Sequence, residues 1–215
     1  MADDSELDKP MIVNWALAEL GMAANFTIGD TTPLSDKVRI FWPRAVAHCF
    51  ALADWTFCRK TFRLVRLEAA PDTGYRYQFS LPGGRIGEPM KLLSDPRSGR
   101  VVRDFRIEGN ELSADAPDVW AVCKMATDLS DWDMQFANAF AVALASYLAV
   151  PLTQDIELAE AKAVQAFGTR SEGGAGGLFG RLIAQNKAAH PPFEPLYQDD
   201  PLTAGRAADC WHGRY

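Results

Sequence analysis

Apolar residues recur at helical spacing near both ends of this chain, and they alternate with polar residues in the middle. Near the start, Ile12, Ala16 and Leu20 form an i, i+4 row. This row predicts a helix that begins at Asp8 and ends at Gly21, since glycine is a common residue just past a helix.

A second predicted helix begins at Thr32-Pro33 and runs to about Asp54. Threonine caps a helix N-terminus and proline fits the first turn, so this dipeptide is a typical start. Pro43 lies well inside the same segment. Because an interior proline removes a backbone hydrogen bond, we expect a kink or a break there.

From Trp55 the pattern becomes alternating, most clearly in Tyr75–Leu81, where every second residue is apolar. This period predicts a half-buried strand. Short turn segments separate it from further strand candidates at Thr61–Leu67, Met90–Leu93, Val101–Ile107, Glu111–Ser113 and Val119–Met125. Strands this close together in the sequence predict an antiparallel meander.

Helical spacing returns after Ser130, which is a plausible N-cap for a third helix. A fourth helix is expected to begin at Thr153 and to end at the glycine-rich run 168–177. That run follows a helix and has no Gly-Lys-Ser/Thr ending, so we interpret it as a hinge and not as a phosphate loop. The third helix carries one stripe of large residues beside one of small residues, the latter being Ala137, Ala141 and Ala145.

After a short predicted helix at 178–189, the segment 190–215 is rich in proline and reads as an extended arm. It still carries more apolar and aromatic side chains than a disordered tail needs, which favours ordering against a partner chain. The side chains expected to make that contact are Phe193, Leu196, Tyr197, Trp211 and Tyr215.

Together these patterns predict an α+β fold with a four-helix core, an inserted antiparallel β meander and an extended C-terminal arm. The core would comprise 8–54 and 130–168, and the inserted β domain 55–129. A glycine-rich hinge with a short helix at 169–189 and the arm at 190–215 would follow.

Charge is unevenly distributed along the chain. Residues 55–110 hold eleven Lys or Arg against six Asp or Glu, so the rest of a chain with net charge −6 must carry −11. Opposite signs on different faces suit self-assembly, although solvated strands with basic faces would give the same count. The most apolar run, 136–152, is shorter than the roughly 20 residues of a membrane span and predicts a buried helix.

No combination of residues predicts an enzyme. Catalysis by a nucleophile needs a base beside it, yet there are three histidines, and two of them, His190 and His212, lie in the predicted arm. His48 is expected on the polar side of the second helix, as a solvated or interface histidine. The four cysteines lack metal-ligand spacing, so we expect neither a metal nor a cofactor.

Several short motifs, in this order, resemble the tail tubular protein A and head-to-tail adaptor family of tailed bacteriophages. The opening Asn-x-x-Leu-x-x-Leu-Gly corresponds to Asn14–Gly21, and Trp-x-Phe to Trp55–Phe57. The aromatic strand ending in Leu-Pro corresponds to 75–82, and the glycine-centred hairpin to 107–115. Trp132-Asp133 with Phe136, and then 148–153, are similar to the third helix and its junction to the fourth.

The resemblance implies a structural protein of the virion neck, made in the bacterial cytoplasm. About twelve copies would form a ring between the portal protein and a downstream tail or stopper protein, with DNA passing through the channel without sequence-specific contacts. The alanine stripe would supply part of the subunit interface, and the arm would dock on the portal. The resemblance implies no membrane partner.

Three alternatives remain open at this stage. Another connector layer, such as a stopper or tail-completion protein, would have the same composition. A soluble enzyme with a β-rich substrate domain would be a monomer with a closed polar pocket. A DNA-binding accessory factor would bind DNA strongly and in a salt-dependent way.

Overall fold

A computed structural model describes residues 7–29, 31–69 and 71–189. Within these residues the fold is α+β, with five α-helices and two antiparallel four-stranded sheets. The helices are α1 (Lys9–Glu19), α2 (Pro33–Ala51), α3 (Met134–Thr153), α4 (Ile156–Phe167) and α5 (Gly177–Ala189). The strands are β1 (Arg59–Arg63), β2 (Val65–Arg66), β3 (Tyr77–Ser80), β4 (Lys91–Asp95), β5 (Arg100–Val101), β6 (Phe105–Glu108), β7 (Glu111–Ala114) and β8 (Trp120–Lys124).

The two N-terminal helices begin where the sequence predicts. Asp8 caps α1 by accepting a hydrogen bond from the Met11 backbone, and Thr32 caps α2 in the same way. Gly21 follows α1 with φ +69°, a conformation that glycine adopts at little cost. Of the kink or break predicted at Pro43, the break is absent, because α2 continues through this residue as one helix.

The starts of the two later helices differ from the prediction. Asp133, and not Ser130, caps α3, while Ser130 lies in a short 3₁₀ turn before it. Thr153 is the last residue of α3, and its hydroxyl donates to the Ala149 carbonyl. Asp155 caps α4. In both places a carboxylate nearby in the sequence takes the cap, and its charge favours the helix N-terminus.

A cluster of aromatic rings forms the centre of the helical core. Phe136 of α3 has its ring centroid 5.1 Å from those of both Trp55 and Trp132. Phe179 of α5 is fully buried and lies 5.7 Å from Phe136. The core therefore includes a fifth helix, which the sequence analysis placed outside it.

The glycine-rich run before α5 forms a compact turn. A 3₁₀ turn at Arg170–Glu172 has a capping box, in which Glu172 accepts from the Thr169 backbone at 2.7 Å. A Cβ added at Gly168 would lie 2.6 Å from the Gly176 Cα. The glycines here permit a close backbone approach that returns α5 to the core, which explains the composition better than the predicted hinge.

The β strands do not form the predicted single meander. The sheet orders are β1-β8-β4-β5 and β2-β3-β7-β6, and every pairing is antiparallel. The predicted strand Val101–Ile107 is divided between β5 in the first sheet and β6 in the second. We call these the first and second sheets.

The two sheets pack face to face around a second hydrophobic core. Leu92 and Ala121, which belong to the first sheet, are buried in one cluster with Phe79 and Leu112 of the second. Because side chains alternate along a strand, each sheet has one face toward this core and one face away from it.

The β region leaves and rejoins the helical core through paired strands. Arg59 at the start of β1 pairs with Lys124 at the end of β8, and the Met125 backbone donates to the Cys58 carbonyl. Lys124 is buried, and its ammonium donates to the carbonyls of Phe50 and Ala53 at 3.1 and 2.9 Å. A lysine of β8 thus satisfies carbonyls at the C-terminal end of α2.

Among the described residues, α3 is the one helix that is long and apolar enough by length and composition to cross a membrane. Of its most apolar stretch, 61% is buried within the fold. Other helices of this chain cover most of its surface, as expected for the central helix of a core.

Candidate interaction surfaces

The outer face of the first sheet carries a row of side chains that belongs to neither hydrophobic core. Arg63 pairs with Trp120, Trp120 with Leu93, and Leu93 with Val101, so one row crosses all four strands. Trp120, Leu93 and Val101 are half-buried, and they pack with neither cluster. The next row contains Thr61, Val122 and Lys91. We call these two rows the basic sheet face.

Positive charge is concentrated on the first sheet. Its four strands contain six basic residues and one acidic residue, whereas those of the second sheet contain two of each. On the basic sheet face, the Arg63 guanidinium lies 5.7 Å from the centre of the Trp120 ring and 2.8 Å from Asp118. The face therefore combines apolar area with the basic side chains of Arg63 and Lys91, of which Arg63 is held against the Trp120 ring.

The outer side of α4 has the complementary composition. Ile156 and Val164 are 64% and 49% exposed, which is high for apolar side chains in a folded helix. Glu157 and Glu160 lie exposed between them, and within the described residues neither has an ion-pair partner. The nearest cation of the helix, Lys162, instead pairs with Glu19 of α1. We call Ile156, Glu157, Glu160 and Val164 the acidic helix face.

The alanine stripe of α3 lies inside the fold. Ala137, Ala141 and Ala145 are each at most 1% exposed, since α3 packs against the other helices of its own chain. The small side chains explain how neighbouring helices approach α3 closely. Their side chains present no surface to another subunit, so the interface proposed below uses other residues.

A shallow cavity of about 200 Å³ lies where α5 ends, beside the N-terminus of α3. Trp55, Phe57 and Leu182 supply its apolar walls, and Asp133 and Asn186 are among its polar residues. The predicted contact residues of the arm, Phe193, Leu196, Tyr197, Trp211 and Tyr215, fall outside the described residues.

Asn186 also helps to hold α5 against the exit from α2. Its side-chain amide donates to the Asp54 carbonyl at 2.9 Å and accepts from the Thr56 backbone at 2.9 Å. This polar wall of the cavity is therefore already engaged in structural hydrogen bonds, which leaves it little capacity for ligand chemistry.

His48 is exposed, as its position on α2 predicts. Its Nδ1 lies 2.8 Å from the Tyr147 hydroxyl, and its ring lies 4.5 Å from that of Phe167. Partial burial lowers the pKa of His48 and raises that of Tyr147. The pair joins α2 to α3, and the described structure places no acidic orienting group or nucleophile on it.

The described cysteines are buried free thiols. Burial raises the pKa of Cys58 to about 11 and raises that of Cys49 further. A thiol with a raised pKa holds little of the reactive thiolate at neutral pH. Within the described residues, no group of three or more His, Cys, Asp or Glu is placed to hold a metal ion.

No family model matches this chain, and no curated protein matches its sequence. The resemblance to phage adaptors therefore rests on the quoted motifs and on their order.

The sequence analysis did not identify the basic sheet face or the acidic helix face. The alternation in β8 shows that Trp120 and Val122 share a face, but it does not show which strands lie beside them. For α4 the signal was present, since Ile156 and Val164 are eight residues apart and so lie on one side of a helix. Lys124 gave no signal, because its partners lie far away in the sequence.

Proposed function

We propose that this chain is a structural virion protein that forms a head-to-tail adaptor ring between the portal and the tail of a tailed phage or phage-like particle. The observation that supports this best is the arrangement of the described chain. Its two ends form one helical core, and a β sandwich is inserted between them. The resemblance implies the same order of elements.

Two of the motif residues, Asn14 and Trp55, hold the backbone through hydrogen bonds where the chain leaves a helix. These contacts support the resemblance further. Asn14 fixes the loop after α1, accepting from the Phe26 backbone at 2.8 Å and donating to its carbonyl at 3.2 Å. Trp55 is buried at the exit of the helical core, and its indole N–H donates to the Cys49 carbonyl at 3.0 Å. These interactions set the directions in which the chain enters and leaves the helices.

In this proposal about twelve copies surround a channel for DNA, and each copy presents two different faces to its neighbours. The segment 190–215 docks on the portal protein, and a tail or stopper protein binds on the opposite side of the ring. Contact with DNA is transient and independent of sequence, which the lack of a recognisable nucleic-acid module favours.

Electron microscopy tests the assembly. The full chain is co-expressed with the portal protein of the same particle, and the purified complex is imaged. We expect a ring of adaptor subunits on the portal. Rings that never bind the portal would favour a stopper or tail-completion protein, and a persistent monomer would favour the enzyme alternative.

The portal contact is tested separately by deleting residues 190–215. We expect the truncated chain to keep the circular dichroism spectrum of the full chain and to lose affinity for the portal. A second variant keeps the full length of the chain and replaces Phe193, Leu196 and Tyr197 by serine. It should lose most of the same affinity for the portal. Unchanged binding of the truncated chain would refute the docking role of the arm.

A further inference from the structure

We infer that neighbouring copies of this chain contact each other through the basic sheet face of one copy and the acidic helix face of the next. The inference rests on the proposed ring function, and it names the two surfaces that would form the subunit interface. Three properties of these surfaces carry it: their apolar content, their charge and their separate positions in the fold.

The apolar parts of the two faces have similar lengths. Neighbouring strands are spaced by about 4.8 Å, so the apolar part of the first row, from Trp120 to Val101, spans roughly 10 Å. Ile156 and Val164 are eight residues apart on α4, a distance of about 12 Å along a helix. Contact would cover apolar side chains that are exposed on one face and half-buried on the other.

The charges are opposite where the apolar parts would meet. Glu157 and Glu160 lie on the acidic helix face, and Arg63 and Lys91 lie in the two rows of the basic sheet face. On this face Arg63 and Lys91 outweigh Asp118, which pairs with Arg63, so the face is net positive by one charge, whereas Glu157 and Glu160 give the acidic helix face a net charge of −2. Complementary charge steers association and selects one orientation.

The two faces lie on different structural units, since one belongs to the β sandwich and the other to the helical core. A contact between them is heterologous, because each copy uses one face toward one neighbour and the other face toward the next. Such a contact repeats indefinitely unless its rotation closes a ring. This is the type of interface that an adaptor ring needs.

A charge-exchange experiment tests the pairing. One variant carries Glu157→Lys and Glu160→Lys, and a second carries Arg63→Glu and Lys91→Glu. A matched control, Asp128→Lys with Asp131→Lys, makes the same charge change at two exposed residues before α3. Circular dichroism checks the fold of each variant, and sedimentation velocity with electron microscopy measures assembly of the free chain and of the chain with its portal.

We expect the wild type and the control to assemble alike. Each reversed variant should need at least about tenfold higher concentration to assemble. An equimolar mixture of the two variants should assemble again, because every lysine-bearing α4 then meets a glutamate-bearing sheet. Recovery in the mixture, which loss of folding cannot produce, is the decisive result.

The other outcomes separate the inference from the proposed function. Rings that form equally well with either variant would overturn this interface and leave the adaptor function standing. Dimers or open filaments that follow the charge-exchange pattern would support the interface and contradict the ring. A wild-type chain that stays monomeric both alone and with its portal would overturn both.

Discussion

Replacing Lys124 by methionine should lower the free energy of unfolding, because Lys124 joins the β sandwich to the helical core. The Lys124 side chain is 11% exposed, and its ammonium donates to the Phe50 and Ala53 carbonyls and lies 3.2 Å from the Asp54 carboxylate. Methionine keeps most of the apolar contacts of the side chain but donates no hydrogen bond. The variant would therefore leave two carbonyls at the end of α2 without their donor.

These contacts set the size of the expected loss in unfolding free energy. A hydrogen bond to a charged group contributes about 1.5–3 kcal/mol, and the relief of burying an ammonium offsets part of that loss. Asp54 is 55% exposed, so solvent screens its ion pair, which adds little. We expect the free energy of unfolding to fall by about 2–4 kcal/mol, in the range of a lost buried hydrogen-bond network.

Urea unfolding, followed by the fluorescence of the six tryptophans of the chain, measures this change. The matched control is Lys60→Met, the same substitution at an exposed residue of the neighbouring strand β1, which should change stability little. The m value should be unchanged in both variants if the chain unfolds in one transition. A loss below about 1 kcal/mol for Lys124→Met would show that water replaces the ammonium at these carbonyls and would refute the argument.

Three further predictions concern the helical core and its turn. Gly177→Ala should lower the melting temperature by several degrees, because φ is +58° and a Cβ would lie 2.5 Å from the Gln165 carbonyl oxygen; a value within about one degree of wild type would contradict this. The Cys58 thiol, with its pKa raised to about 11, should react with iodoacetamide at pH 8 only when the chain unfolds, which peptide mass spectrometry of native and urea-treated protein measures. His48 has a lowered pKa in the folded state, so the unfolded chain binds more protons near its ordinary pKa of about 6.5, and its contribution to stability falls as pH decreases through that value. Between pH 7.5 and 5.5, His48→Asn should therefore lose less stability than the wild type, and equal losses would show that His48 does not contribute.

Local patterns predicted the elements of this fold better than their partners. Thr32 was identified as a cap because Pro33 follows it directly and fits the first position of a helix, a signal that the neighbouring Thr31 lacks. Before α3, Ser130, Asp131 and Asp133 all offer oxygen atoms, and the packing of the helix decides which one caps it. Periodicity places a helix to within a turn, but it does not choose among adjacent caps.

Strand pairing was beyond the sequence patterns, for a different reason. Alternation is a property of one strand, whereas the order of strands in a sheet depends on contacts between distant segments. The insertion of β8 between β1 and β4 follows from closing the β region onto the helical core, where Arg59 and Lys124 are paired. The same limit applies to Phe179, since nothing near it in the sequence indicates that a glycine-rich turn returns α5 to the core.

The pairing order also explains how the candidate interface arises and why it involves a sheet face and not a sheet edge. The sequence shows only that basic residues are frequent between 55 and 110. The pairing of the strands places most of the basic residues that lie in strands on the first sheet. The edges of that sheet are β5, which has two residues, and β1, which carries Arg59, Lys60 and Arg63. Short or charged edge strands resist pairing with another chain, so copies of this protein are discouraged from adding strands to one another. The apolar row from Trp120 to Val101 lies on the face between those protected edges, and association through that face, guided by opposite charge, is the route that the architecture leaves open.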